Sequence, residues 1–176
     1  MEEEQDRTVK VLQLAVQMEV EGKEFYQKAS RKSHNKLAKE LFHELANEED
    51  VHRRKFVAIY EALKRKQNWP DVAPPFEKGK KLKSVFAEAI KSLGKTFKVA
   101  ESELEAMKIA MDMEIRSYNL YDSRSAESTL PVEKQFYKTL AGEERGHHLA
   151  LLDTYEYLSD PAGWFTKKEH WSLDGA

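Results

Sequence analysis

Cysteine is absent from all 176 residues, which removes disulfides, thiolate zinc sites, iron–sulfur clusters and cysteine nucleophiles together. Glycine and proline are sparse, at 7 and 5 residues, too few for the many turns of an all-β chain. No apolar run approaches the ~18 residues that a membrane span needs. The acidic start MEEEQDR has neither the basic opening nor the apolar stretch of a secretory signal. A cytoplasmic location without membrane contact is the expectation. An excess of one charge is missing as well: 29 basic and 31 acidic residues give a net charge of −2. That balance offers no broad basic surface for nucleic acid. At roughly 100–200 residues per domain, the length fits one domain with one substantial core.

What is present is helical periodicity. Leu12, Ala15, Val16, Glu19 and Tyr26 share one stripe, and Leu41, Leu45, Glu49, His52, Phe56, Ile59 and Leu63 share a second. Ser30, Ser33 and Asn35 suit a turn between two helices. Trp69-Pro70 and Pro74-Pro75 should break the second helix. The stripes resume at Met107, Ala110, Met111, Glu114 and Tyr121. They continue at Phe136, Leu140, Glu144, His147, Leu151, Tyr155 and Leu158, with Pro131 at the start of that last helix.

The two halves repeat at a constant offset of 95 residues, without a gap from Leu12 to Leu63. Glu19 matches Glu114, Tyr26 matches Tyr121, Glu48-Glu49 matches Glu143-Glu144, and His52 matches His147. Two equal αα-hairpins, each too small to bury its own apolar face, should pack together as an all-α four-helix bundle. A helix of ~30 residues is ~45 Å long, and ~14 extended residues cross that length. The basic linker, with a short helix expected over Leu82–Leu93 and ended by Gly94, is therefore long enough to return the chain to the far end. The bundle is expected over residues 1–160. Asp160-Pro161-Ala-Gly163 should end the last helix, leaving residues 161–176 as an aromatic tail.

Polar residues interrupt these apolar stripes in phase: Glu19, Glu49 and His52, then Glu114, Glu144 and His147. A Glu and a His three residues apart project from one helical face. They can offer an oxygen and a nitrogen to one metal ion, and Glu19 and Glu114 could bridge or chelate from the partner helices. Four ionised carboxylates converging in a core are strongly unfavourable without compensation. Protonation is one escape; two divalent cations, which neutralise the site with both histidines uncharged, are the other. Mixed carboxylate and imidazole ligation suits iron or manganese.

Spacing alone is a weak signal, as Glu40 and His43 show. Their counterparts are Gln135 and Lys138, and they lie about 180° around the helix from Glu49 and His52. That pair should face solvent. Tyr26 and Tyr121 follow Glu19 and Glu114 by two turns; as core aromatics their hydroxyls need partners, and a ligand carboxylate would serve.

At these motifs the chain resembles the rubrerythrin branch of the ferritin-like di-iron carboxylate proteins. The matching segments are Glu19 to Tyr26, Leu45 to His52, Met113 to Tyr121 and Leu140 to His147. The resemblance implies a ferritin-like bundle with a di-iron site held by Glu19, Glu49, His52, Glu114, Glu144 and His147. It further implies redox chemistry with peroxide or O₂. Typical members carry a four-cysteine rubredoxin domain that delivers electrons; without cysteine, this chain would need an external donor such as a rubredoxin-like protein. They also carry a further Glu one turn after the third-helix ligand, where this chain has Ser117, giving a more symmetric site.

The remaining features have blander readings. His34, His43, His148 and His170 read as surface or boundary residues, and the basic run Lys78–Lys83 as a solvated segment. Glu48 and Glu143 sit one position off the ligand face. Trp164, Phe165 and Trp171 would pack on the bundle itself or on a second subunit, as in a homodimer. The alternative to an oxidoreductase is a non-catalytic protein that binds or sequesters iron.

Overall fold

A computed structural model of the chain describes residues 2–65, 68–70, 80–93 and 97–173. Its elements are α1 (Glu2–Lys32), α2 (Lys36–Lys64), α3 (Lys80–Leu93), α4 (Glu101–Glu127), α5 (Pro131–Ser159) and α6 (Pro161–Leu173). Helices α1 and α2 form one hairpin and α4 and α5 the other, and the two pack as the expected ferritin-like bundle. The described residues are helix and connection, without strands. None of the helices is long and apolar enough to cross a membrane.

The hairpin turns obey the same repeat as the stripes. The Ser30 hydroxyl donates to the Lys39 carbonyl at 2.9 Å, and Ser125, at the same offset, donates to the Lys134 carbonyl at 3.1 Å. Asn35 caps α2 by accepting from the Ala38 amide at 3.2 Å; α5 begins instead with Pro131 at its first turn. Glu103 then ties the hairpins together at one end of the bundle. Its buried carboxylate accepts from the amides of His34 (2.7 Å) and Asn35 (2.9 Å) in the first turn, and of Ala100 (2.8 Å) before α4.

Two apolar clusters divide the core along the bundle. One gathers Tyr26, Phe42, Leu45, Met107, Leu151 and Tyr157. The other gathers Leu12, Phe56, Ile59, Tyr121, Tyr137 and Leu140. The polar residues of the repeat are buried among these same helices.

The linker helix forms where expected, although Pro74-Pro75, Lys78 and Gly94 lie outside the described residues. Leu82 and Ala89 of α3 are buried against the bundle, and Lys81 pairs with Glu44. The segment after Asp160, expected as an aromatic tail, takes the form of the helix α6. Asp160 both ends α5 and starts α6: its carboxylate accepts from the Gly163 amide at 3.0 Å, and Pro161 supplies a first turn that needs no amide. Trp164 and Phe165 pack edge-on against Tyr157, at 5.4 and 6.1 Å between ring centroids. The Trp171 and His170 side chains lie outside the described residues.

Candidate metal centre

Each helix of the bundle contributes to one buried cluster. Glu19 comes from α1, Glu49 and His52 from α2, Glu114 from α4, and Glu144 and His147 from α5; none is more than 5% exposed. The spacing of three residues stacks each Glu and His on a single face, and hairpin pairing turns the two faces toward each other. The imidazole rings of His52 and His147 lie 5.6 Å apart and 14° from parallel.

Two overlapping groups emerge. Glu19, Glu49, His52 and Glu144 bring one ligand atom each to within 4.8 Å of the others, and so do Glu49, Glu114, Glu144 and His147. Glu49 and Glu144 belong to both, so the carboxylates placed to bridge are those of the Glu-x-x-His motifs. Glu19 and Glu114, which the sequence left open as bridging or chelating, each serve one group only. His52 Nδ1 lies 3.1 Å from Glu144 and 3.4 Å from Glu19. His147 Nδ1 lies 3.3 Å from Glu49 and 3.4 Å from Glu114. Each imidazole thus meets the shared carboxylate of the opposite hairpin.

The donor set fits cations. Glu19 Oε2, Glu49 Oε1, Glu114 Oε2, Glu144 Oε1 and His147 Nδ1 are buried with no hydrogen-bond partner. Five such atoms in one place would be costly as the finished state of a core. Ionisation in the metal-free cluster follows the same logic. Burial opposes the charge on Glu19, but the Glu49 carboxyl, the His52 charge and the Tyr121 hydroxyl outweigh it and hold its pKa below the usual value. For Glu114, burial is outweighed by His147, Glu144 and Tyr26. Burial and the neighbouring carboxylates push Glu49 and Glu144 well above that value. Burial opposes charge on the imidazoles too, yet the facing carboxylates raise His52, and raise His147 strongly. These raised values favour protons on Glu49, Glu144 and the imidazoles where cations would otherwise balance the carboxylates.

The tyrosines cross between hairpins. Tyr26 of the first donates to Glu114 of the second, and Tyr121 of the second donates to Glu19 of the first. Both phenols are held protonated, first by burial and then by the charges of the acceptor glutamates. Glu48 has a specific partner as well, with Oε2 lying 2.7 Å from His147 Nε2. Burial works against its ionisation, and the His147 contact reverses that. Its counterpart Glu143 is buried beside a groove of about 420 Å³ on α5, lined also by Lys138, Thr139, Gly142 and Gly146. Burial raises its pKa.

The solitary histidines stay apart from the cluster. Glu40 points outward to Lys36 at 3.8 Å, and His43 and His34 are exposed. His148 is half-buried, with Nδ1 3.4 Å from the Met111 carbonyl.

A family model described as Rubrerythrin matches residues 10–155, a span that takes in both hairpins and all six cluster residues. Among curated proteins and among solved structures, nothing matches the chain. The match covers most of the chain, and the cluster it encloses has the carboxylate and imidazole composition of a dinuclear centre. The chain belongs to the rubrerythrin family.

Proposed function

We propose that the chain is a di-iron oxidoreductase that reduces peroxide or O₂ with electrons from a separate, rubredoxin-like protein. The observation that carries this reading is the pair of buried ligand groups joined through Glu49 and Glu144. Glu19, Glu49, His52 and Glu144 would hold one ion, and Glu49, Glu114, Glu144 and His147 the other. Two iron ions bound there supply one-electron redox equivalents; manganese suits the same donors.

The chain's own residues supply order and exclusion of water. Tyr26 and Tyr121 hold Glu114 and Glu19 by one oxygen each, leaving the other oxygen turned inward. Glu48 engages His147 at Nε2, so that Nδ1 faces the cluster. Such support orients ligands and raises their basicity. The chain contains no cysteine with which to build an iron–thiolate relay, so the reducing electrons come from outside these residues. Ser117 stands at the offset position of Gly22, and neither adds a carboxylate.

Elemental analysis of protein purified without added metal, followed by stopped-flow oxidation of the diferrous form, tests the reading. Two iron ions per chain, oxidised by peroxide or O₂ and cycling when a reductase and rubredoxin are added, are expected. Zinc in the cluster refutes it. Oxidation that occurs once and never turns over favours iron sequestration instead.

A further inference from the structure

Beside the cluster, a row of aromatic rings leads outward from one of its supporting residues. The Tyr121 hydroxyl donates to Glu19. The Tyr121 ring lies against Tyr137 with centroids 6.2 Å apart and planes 28° from parallel. Tyr137 also meets Trp69 edge-on, with centroids again 6.2 Å apart and planes 66° from parallel. Phe136 packs on both Trp69 (5.7 Å) and Tyr137 (5.6 Å), so the row is laterally filled. Trp69, unlike the tyrosines, is only half-buried. Electron tunnelling falls steeply with the distance between redox groups, and aromatic rings in van der Waals contact shorten each gap.

We propose that Tyr121, Tyr137 and Trp69 form an electron route from the protein surface to the metal centre, with Trp69 as its outer terminus. The inference rests on the oxidoreductase reading and specifies where the external donor engages. Tyr137 acts as a bridge rather than as a stopping place. Its buried hydroxyl has no hydrogen-bond acceptor to take a proton, and the Arg124 guanidinium lies 5.9 Å over its ring, which disfavours positive charge there. Tyr121 differs, because Glu19 is in place to accept its proton.

Electrons flow inward, one per event. Hydrogen peroxide takes two electrons and two protons to give two waters. With a donor present, each electron drawn through Trp69 is replaced and the indole ends unchanged. Without a donor, the two irons supply both electrons of the first peroxide, and a further peroxide then draws its two electrons from the chain itself, one from Trp69 and one from Tyr121. In the metal-free protein an oxidised Trp69, whose buried Nε1 keeps its proton, can be repaired from within: the indole regains an electron, while Tyr121 loses one and passes its phenolic proton to Glu19.

Two experiments on the full chain test the route. In the first, the reduced, metal-loaded protein is mixed with hydrogen peroxide in excess over the iron pairs and without donor, and radicals are read by freeze-quench electron paramagnetic resonance and peptide mapping. An indole radical and oxygenated Trp69 are expected. Both are lost in Trp69→Phe, retained in Trp164→Phe and Tyr137→Phe, and diminished in Tyr137→Leu, which removes the bridging ring. Oxidation that falls on Trp164 instead, and persists in Trp69→Phe, overturns the proposal. In the second, azide radicals generated by pulse radiolysis oxidise exposed tryptophan in the metal-free protein. In a chain carrying Trp164→Phe and Trp171→Phe, where Trp69 is the one remaining indole, the indolyl absorption should decay into phenoxyl absorption at a rate independent of protein concentration, and this conversion should vanish in Tyr121→Phe and slow in Tyr137→Leu. Conversion that survives Tyr121→Phe, or that is unchanged by Tyr137→Leu, refutes the route. Because no metal takes part in the second experiment, it decides the route even where a wild-type protein inert to peroxide has refuted the oxidoreductase reading.

Discussion

Replacing Tyr121 with Phe removes one oxygen and keeps the ring, so the aromatic packing against Phe56 (5.4 Å) and Tyr137 (6.2 Å) survives. What is lost is the hydroxyl that holds Glu19, a residue of the opposite hairpin. Removing a hydrogen-bonded partner that orients a ligand typically lowers metal affinity 10- to 100-fold, or about 1.4–2.7 kcal/mol. In the metal-free protein the same change leaves a buried carboxylate oxygen without its donor, at a cost of about 1–3 kcal/mol. Tyr26→Phe should do the same to Glu114. The crossing makes the pair discriminating. Glu19 belongs with His52 and Glu114 with His147, so each variant should weaken a different one of two binding steps. Titration with a divalent metal against a competing chelator, with the two steps resolved, provides the assay. Unchanged affinity in both variants, or loss of the same step in both, refutes the reasoning.

Metal binding should separate ligands from look-alikes, with Glu49→Ala or His147→Ala abolishing at least one step and Glu40→Ala or His43→Ala leaving both intact in the same titration. Glu103→Ala removes the acceptor of two backbone amides in the first hairpin's turn and of the Ala100 amide that caps its own helix. It should cost about 3 kcal/mol in a denaturant midpoint at unchanged slope, against less than about 0.5 for the exposed Glu105→Ala; equal effects would refute the clamp. Asp50 is held below its usual pKa chiefly by Lys23, at 2.7 Å, and further by Arg53. A group lowered in the folded state stabilises above its unfolded pKa, near 4, and that contribution fades as pH falls through the folded value. For a half-buried pair still open to solvent it is about 0.5 kcal/mol, so Asp50→Asn should match wild type in thermal unfolding at pH ~2.5 and fall slightly below it at pH ~7.

Much of this was legible along the chain because helical phase is local. Whether Glu49 and His52 share a face depends only on three residues of α-helix, and burial of that face follows from the Leu and Phe in register with it. The constant offset of 95 residues exposed the second copy, and the solvent-facing Glu40 and His43 were separable from the site by phase alone. The Ser30 and Ser125 bonds share the same offset and were equally open to detection. Asp160-Pro161 read as the end of α5, which it is; a residue that stops one helix by capping it also suits the start of the next, and only the Gly163 amide at 3.0 Å shows that it does both.

By itself, then, the sequence determined the all-α class, the duplication, the six cluster residues and the two tyrosines, since each depends on spacing within a helix. The tertiary structure alone decided which helix faces which. That placed Tyr26 on Glu114 and Tyr121 on Glu19, gave Glu49 and Glu144 the shared positions, set Glu48 on His147, fastened the hairpins through Glu103 and lined up Tyr121, Tyr137 and Trp69. These partners stand tens of residues apart, and a periodic pattern tells which face of a helix is buried without telling what lies across from it.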